Sequence, residues 1–209
     1  MARHLSPLGQ PAAKIVTSPI QPAYVSPRAL ASALRQGRQI PDEHFDRLAA
    51  GAGRLRHHLI ASTPLSVASS ALSLLTAGEA LRVLDVGAGV GKLCIVGALT
   101  TRAQFTGVEH HLALVRQARS AALRFGARRA TFIHDSVAHI DLQGFDAIYV
   151  FDGAPESPAS STSVVWRKLP AARSGTRIVT YGGLIDPPGC RLHARLRPDE
   201  GALALFIKE

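Results

Sequence analysis

The pattern of apolar and polar positions changes character at about residue 81. After that point, short apolar runs alternate with segments of helical spacing. The runs predict strands at 81–86, 105–109, 130–134, 145–151 and 176–181, and the segments predict helices at 92–101, 110–126 and about 158–170. Such alternation is typical of a parallel α/β sheet that is covered on both faces.

The part before residue 81 follows a different pattern. Residues 1–25 contain four Pro and no sustained period, which predicts a surface arm. Three helices are then predicted at 26–37, 41–55 and 62–78. Ser26 followed by Pro27 is a typical helix start, and Ser62-Thr63-Pro64 is a second start of the same kind.

The last twenty residues depart from the alternating pattern. Two apolar stretches, 190–198 and 202–208, flank a Pro-Asp-Glu-Gly turn, which predicts an antiparallel hairpin. We therefore expect a doubly wound, mostly parallel sheet of seven strands with a C-terminal antiparallel hairpin. The expected organisation is an arm at 1–25, a helical extension at 26–61 and the α/β domain at 62–209.

Composition narrows the class of protein. Hydrophobic residues make up 46% of the 209 residues and charged residues 19%, which excludes wholesale disorder. No apolar run approaches the ~18 residues of a membrane span, and the N-terminus lacks the apolar core of a signal peptide. Two Cys cannot form a disulfide scaffold, so we expect a soluble protein in a reducing compartment, the cytoplasm.

The net charge of +9 is unevenly distributed. Residues 1–60 contain eight Lys and Arg against three acids, a net +5, and the remaining residues carry +4. A basic face attracts nucleic acid or an acidic partner, but it is more often a solvated surface, and we favour the latter. Nucleic-acid binding through the basic N-terminal region stays an alternative.

The strongest chemical motif is LDVGAGVGK, residues 84–92. Its glycines lie between a predicted buried strand and a predicted helix, where they allow a sharp turn and close approach to a ligand. Asp85 precedes them, and Glu109 ends the next strand at a spacing that suits a carboxylate binding ribose hydroxyls. The alternative role of Glu109 is a helix N-cap, and the joint pattern favours a ligand role.

These motifs resemble the ordered motifs of class I S-adenosylmethionine-dependent methyltransferases. The resemblance rests on LDVGAGVGK, FTGVE, the Asp after ATFIH, and FDAIYVF followed by an acid, and covers about 62–209. It implies S-adenosylmethionine as the cofactor. The implied contacts are Asp85, Gly87, Gly89 and Gly91 at the methionine end, Glu109 at the ribose, Asp135 and Ser136 at the adenine, with Ala88 and His110 beside them. The stretch 89–109 is similar to small bacterial members, which are distantly similar to the histone-lysine methyltransferases without a SET domain.

The same resemblance directs attention to the end of the fourth strand, because many N-methyltransferases carry an Asp/Asn-Pro-Pro-aromatic motif there. This chain has Asp152-Gly153-Ala154-Pro155-Glu156 instead. Asp152 keeps a hydrogen-bond acceptor and Glu156 keeps a following acid, so these two are the candidate catalytic residues. A turn that merely ends the strand is the alternative. The implied acceptor is a nitrogen of a protein or small molecule, with protein lysine as the first candidate.

Two further hypotheses stay open, and no metal site is predicted. A nicotinamide-dependent oxidoreductase would use the same glycines, although their spacing is G-x-G-x-G, not G-x-G-x-x-G. A non-catalytic module would keep the cofactor fold without the fourth-strand motif. The pairs His57-His58 and His110-His111 are expected to diverge on helices and so to be poor metal ligands. Cys94 is expected in the core, and Trp166 as a packing residue.

Overall fold

Seven strands form one sheet in the computed structural model, which describes residues 26–50, 63–77, 82–151, 161–182, 186–196 and 202–209. The strands are β1 (Arg82–Val86), β2 (Gln104–Glu109), β3 (Ala130–His134), β4 (Ala147–Phe151), β5 (Arg177–Tyr181), β6 (Cys190–Leu196) and β7 (Leu203–Lys208). The helices are α1 (Pro27–Arg35), α2 (Asp42–Ala50), α3 (Leu65–Leu75), α4 (Lys92–Thr100), α5 (Leu112–Phe125) and α6 (Ser161–Lys168). Every predicted element with described residues is confirmed in type, and most ends shift by one to three residues.

The strand order is β3-β2-β1-β4-β5-β7-β6. Strands β1 to β5 are parallel, and β7 lies antiparallel between β5 and β6. From β1 the chain adds β2 and β3 on one side of the sheet and then β4 and β5 on the other, so the strand order reverses beside β1. In open α/β sheets, ligands bind at the carboxyl ends of the strands beside such a reversal.

Two hydrophobic clusters cover the two faces of the sheet. The larger cluster contains apolar residues of α1 to α5, and the smaller one contains residues of α6 and of the short 3-10 turns at Val137–His139, Leu142–Gly144 and Leu169–Ala171. The first two of these turns were not expected from the sequence. Leu30 of α1 and Phe45 of α2 share the larger cluster with α4 and α5, and Phe45 stacks on Phe125 at 5.0 Å. The predicted boundary at 61/62 and the arm at 1–25 lie outside the described residues.

The helix ends confirm two predictions and correct a third. Ser26 caps α1 by accepting a hydrogen bond from the Ala29 N–H at 3.2 Å, and α5 ends at Gly126 with φ 69°. The expected cap of α3 was wrong, because its N-cap residue is Pro64 and makes no side-chain cap. Instead, both carboxylate oxygens of Asp42 in α2 lie 3.1 Å from the Leu65 N–H.

Several basic side chains bind main-chain carbonyl groups at the ends of elements. Arg129 donates to the carbonyls of Ala98 and Thr101 at 2.8 and 2.7 Å, where α4 ends. Arg124 donates to a carbonyl near the end of α2, Arg119 to one on β3, and Lys168 to three around the first 3-10 turn. Part of the positive charge therefore stabilises the fold, since cations satisfy carbonyls that the helices leave open. No helix among the described residues has the length and apolarity to cross a membrane.

Candidate cofactor site

The loop after β1 is fixed by hydrogen bonds to the neighbouring strand. The N–H groups of Gly87 and Ala88 donate to the Val108 carbonyl at 2.9 and 3.1 Å, and the three loop glycines have positive φ. At Gly91, with φ 81°, a Cβ atom would lie 2.5 Å from the Phe132 ring, which only glycine avoids. The predicted need for glycine at the turn is confirmed.

Glu109 joins this loop to the end of β2. The residue is 5% exposed, and its Oε2 accepts a hydrogen bond from the Gly89 N–H at 3.1 Å. Oε1 accepts from the His111 N–H at 2.9 Å, at the residue that caps α5. Glu109 is therefore not the N-cap of α5, which is His111, although its carboxylate binds the N–H of that residue. The carboxylate also faces the glycine loop, as the ligand hypothesis requires.

Two cavities lie on the two sides of this loop. The inner cavity, of about 30 Å³, is lined by Thr63, Asp85, Gly87, Ala88, Gly89, Val90, Lys92, Leu93, Tyr149 and Phe151. The outer cavity, of about 240 Å³, is lined by Val86, Gly87, Val108, Glu109, His110, Asp135, Ser136, Val137 and Ser161. Gly87 lines both, and a Cβ atom there would meet nothing within 4 Å. The structure thus brings eight of the nine predicted cofactor residues to two adjoining cavities, while Gly91 packs beneath the loop.

Asp85 is the buried acid of the inner cavity, with 4% exposure. Burial raises the pKa of its carboxyl from 3.8 to about 7, a hydrogen bond from the Cys94 thiol at 3.4 Å opposes this rise, and the charge of Glu109 adds to it. A cation that entered the inner cavity would favour the ionised carboxylate. Cys94 is buried, as predicted, and its expected packing role includes this contact.

Asp135 and Ser136 line the outer cavity where β3 ends. Asp135 accepts hydrogen bonds from His139 Nδ1 and from the Ser136 N–H, both at 2.7 Å, and the His139 contact is the main reason that the pKa of Asp135 lies below its usual value. The Ser136 hydroxyl in turn accepts from the Ala138 N–H at 3.2 Å. These bonds hold both side chains at the carboxyl end of β3, next to Glu109, whose carbonyl accepts a hydrogen bond from the Asp135 N–H at 3.2 Å.

The inner cavity also contains a pair that was missed from the sequence. Thr63 Oγ1 and the Tyr149 hydroxyl share a buried hydrogen bond of 2.8 Å, and burial raises the pKa of Tyr149 above its usual value. Tyr149 lies beside Asp85 in the register of β1 and β4. Thr63, expected as a helix cap, instead closes one wall of this cavity. The two residues are 86 positions apart, so no local pattern could have paired them.

A second missed feature is an ion cluster around the buried Lys92 at the start of α4. Lys92 is 3% exposed, and its Nζ lies 2.5 Å from Asp42 and 3.0 Å from Asp46, both on α2. Asp42 also binds the N–H at the start of α3. Helix α2 is therefore bonded to Lys92, which lines the inner cavity, and to the start of α3, two residues after Thr63.

The fourth-strand candidates Asp152 and Glu156 lie outside the described residues. Phe151, the last residue of β4, lines the inner cavity and stacks on Tyr181 at 5.2 Å. Trp166 is half-buried against the smaller cluster, as a packing residue would be. His57 and His58 also lie outside the described part of the chain.

The expected divergence of His110 and His111 was wrong. Neither residue is in the helix, since α5 begins at Leu112, and their ring centroids are only 3.9 Å apart. Nδ1 of His110 lies 3.2 Å from the Glu109 carboxylate. An extended backbone at the helix entry, with φ −89° and ψ 106° at His111, accounts for the difference.

Comparison with known proteins agrees with this geometry. Residues 77–164 match the model of a family described as a methyltransferase domain, which covers less than half of the chain. No curated protein sequence matches the chain.

Solved structures of methyltransferases share the fold. An RNA methyltransferase from Salinibacter ruber, in complex with S-adenosyl-L-homocysteine, is 21% identical over 71% of this chain and 95% of its own, with a TM-score of 0.58. A putative caffeoyl-CoA O-methyltransferase from Staphylococcus aureus is 15% identical over 87% and 99%, with a TM-score of 0.62. A precorrin-6y C5,15-methyltransferase from Geobacter metallireducens is 18% identical over 71% and 90%, with a TM-score of 0.53. The predicted seven-stranded methyltransferase fold is confirmed.

Proposed function

We propose that the chain is an S-adenosylmethionine-dependent methyltransferase. The observation that carries the proposal is the position of Glu109: its buried carboxylate binds the Gly89 N–H and lines the outer cavity at the sheet reversal. In this assignment Glu109 binds the ribose hydroxyls, Asp135 and Ser136 border the adenine, and His110 lies at the rim. Asp85 and the main chain of Gly87, Ala88 and Gly89 bind the methionine end.

The residues present fit the cofactor chemically. A carboxylate that already accepts two main-chain N–H groups still offers lone pairs to a ribose diol. Asp85 offers a buried acid to a cationic amine, and Gly87 has no side chain to fill the space between the two cavities. When bound, S-adenosylmethionine supplies a methyl group on a sulfonium and leaves as neutral S-adenosylhomocysteine.

The protein's contribution to such a transfer is alignment and removal of a proton. An acceptor nitrogen must present its lone pair in line with the methyl carbon and the sulfur, and holding that geometry supplies most of the acceleration. Asp152 directly follows Phe151, whose side chain lines the inner cavity. In this proposal Asp152 accepts a hydrogen bond from the acceptor nitrogen, and Glu156 takes part in accepting its proton.

The acceptor is proposed from the fourth strand, because the shared fold does not specify it. The structural neighbours include RNA, O- and precorrin methyltransferases. The acid at Asp152 favours a nitrogen on a protein or small molecule, and the sequence resemblance favours a protein lysine. The basic region at 1–60 would meet a polyanionic partner if the acceptor were a nucleic acid. A cytoplasmic location is part of the proposal, in keeping with the free Cys94 and Cys190.

Calorimetry with S-adenosylmethionine, S-adenosylhomocysteine and NADH tests the cofactor assignment. We expect the first two to bind and NADH not to bind, because the loop has G-x-G-x-G spacing. NADH binding without either of the others would instead support the oxidoreductase. Incubation with tritiated S-adenosylmethionine and a cell extract then tests catalysis, and the labelled fraction identifies the acceptor class.

A non-catalytic cofactor-binding module is the second candidate. It is favoured by one observation, the absence of the Pro and aromatic residue after Asp152. Binding of both sulfur compounds with no label in protein, RNA or small molecules would support this second candidate over the enzyme.

A further inference from the structure

We infer that Glu109, His110 and His111 bind a transition-metal ion of the Zn²⁺ type at the rim of the outer cavity, and that this ion excludes the cofactor. The exclusion rests on the proposed function, because it takes Glu109 to be the ribose ligand. The metal site itself rests only on the three side chains.

The three residues bring their ligand atoms together. One atom from each residue lies within 4.8 Å of the others, and Nδ1 of His110 is 3.2 Å from Oε1 of Glu109. In a tetrahedral site with bonds of about 2.0–2.1 Å, ligand atoms are about 3.3 Å apart. The Glu109–His110 pair already has this separation. The His111 side chain is exposed, so its ring can rotate to complete the set.

The carboxylate is held in place before an ion arrives. The Gly89 and His111 N–H groups donate to its two oxygens at 3.1 and 2.9 Å. Metal-ligating carboxylates are commonly oriented by such hydrogen bonds, and each oxygen keeps a lone pair for the ion. The His110 side chain is 62% exposed, which leaves the site open to solvent on one side, and the outer cavity can supply a water as a fourth ligand.

The donor set favours a borderline-soft metal. Two imidazoles and one carboxylate suit Zn²⁺, Co²⁺, Ni²⁺ and Cu²⁺, whereas Mg²⁺ and Ca²⁺ prefer sites made of oxygen ligands. His134 lies next to the cluster, but its Nε2 donates to the His110 carbonyl at 3.0 Å. His134 is therefore a neighbour outside the donor set and offers a matched control.

Metal and cofactor would compete for one carboxylate. A ribose diol hydrogen-bonded to Glu109 occupies the lone pairs that the ion needs, and an ion there blocks the diol. A zinc ion would then act as an inhibitor that is competitive with S-adenosylmethionine.

Zinc titration of the full-length protein, freed of metal with a chelator, tests the site. We expect one Zn²⁺ to bind per chain by calorimetry and Mg²⁺ not to bind. His111→Ala should weaken zinc binding by at least about tenfold, because loss of even a residue that only orients a ligand costs about 10- to 100-fold. His134→Ala should bind zinc as the wild type does, with circular dichroism confirming that both variants are folded.

Competition with S-adenosylhomocysteine tests the exclusion. Zinc at about ten times its wild-type Kd should weaken S-adenosylhomocysteine binding to the wild type about tenfold, and binding to His111→Ala only about twofold or less. Equal zinc affinities of the wild type and His111→Ala would overturn the metal site. Simultaneous binding of zinc and S-adenosylhomocysteine would overturn the exclusion. If S-adenosylhomocysteine failed to bind the metal-free wild type, the proposed function and the exclusion would fall, while the zinc titrations would still decide the site.

Discussion

The Gly89 N–H donates a 3.1 Å hydrogen bond to the Glu109 carboxylate, which ties the glycine loop after β1 to the end of β2. The two residues are 20 positions apart in the chain, and the parallel register of β1 and β2 brings them together. One buried acid thus shapes the loop and lines the outer cavity.

Glu109→Gln is expected to weaken S-adenosylhomocysteine binding by about 10- to 150-fold, the equivalent of one hydrogen bond to a charged group. The amide keeps one acceptor oxygen but directs an N–H₂ group toward a main-chain donor. Isothermal titration measures the loss, and Glu43→Gln, at an exposed site in α2, is the matched control. Equal affinities of Glu109→Gln and the wild type would remove Glu109 from the cofactor site.

The raised pKa of Asp85 predicts that the stability of the fold depends on pH. Its pKa is raised to about 7, so between about pH 4 and pH 7 the folded protein holds a proton that the unfolded chain has released. Stability from this group therefore falls as the pH rises through that window. Asp85→Asn has no such proton, and we expect its Tm to exceed that of the wild type at about pH 8 and the difference to shrink at about pH 5.

In the wild type, the affinity for S-adenosylmethionine should change with pH in the opposite direction to the stability. A cationic amine favours the ionised Asp85, so S-adenosylmethionine affinity should rise between about pH 6 and pH 8. In Asp85→Asn that rise should be absent or much smaller. The same pH slope in both proteins would show that Asp85 does not meet the cation.

Asp152→Ala is expected to abolish methyl transfer and to leave S-adenosylhomocysteine affinity nearly unchanged, because the proposal places Asp152 at the acceptor and not at the cofactor. Transfer of tritium to the labelled acceptor fraction measures the first effect, and calorimetry the second. Asp186→Ala, an exposed residue near β6, is the control. Loss of both properties, or of neither, would contradict the role of Asp152.

The ion cluster at Lys92 predicts that replacing the lysine restores the stability lost when its carboxylate partners are removed. The double variant Asp42→Asn, Asp46→Asn removes two carboxylates from a buried ammonium. We expect its free energy of unfolding to fall by roughly 1–3 kcal/mol, less than for a fully buried ion pair because the carboxylates are about one-third exposed. Adding Lys92→Met should restore most of this stability, since an apolar group of similar length tolerates burial. Urea denaturation of the three proteins measures the cycle, and failure of the rescue would show that packing of α2, not charge, dominates.

Gly91 and Gly175 separate backbone strain from packing. Their φ angles are 81° and 84°, so alanine costs about 1–2 kcal/mol of strain at either position. A Cβ atom at Gly91 also meets the Phe132 ring at 2.5 Å, while at Gly175 it meets nothing within 4 Å. Gly91→Ala should therefore lose at least about 1–3 kcal/mol more stability than Gly175→Ala in chemical denaturation. Equal losses would mean that the ring moves aside freely.

Local sequence patterns predict much of this fold, but they do not predict the long-range side-chain contacts of the site. The strands around Asp85 and Glu109 were predictable because buried parallel strands are short apolar runs, and the loop because three glycines separate a strand from a helix. Strand register then brings the two acids to one edge of the sheet.

The partners of Lys92, Thr63 and Tyr149 could not be predicted in the same way. Lys92 and Asp42 are 50 positions apart, and their contact depends on how α2 lies against α4 and α5. Periodicity identifies the buried face of a helix but does not identify the residue opposite each side chain. The prediction for the rings of His110 and His111 was wrong because their positions depend on the exact residue at which α5 begins. Sequence patterns do not fix a helix end to one residue.

Arg119 has a consequence for the behaviour of the protein in concentrated solution. Its guanidinium donates two hydrogen bonds, of 2.7 and 3.1 Å, to the Phe132 carbonyl on β3, the outermost strand on that side of the sheet. The unpaired main-chain groups of an outermost strand can form hydrogen bonds with a strand of another molecule. A cation bound to one of those groups removes an acceptor that the incoming strand would need and adds charge repulsion between copies. We therefore expect Arg119 to disfavour self-association along this edge.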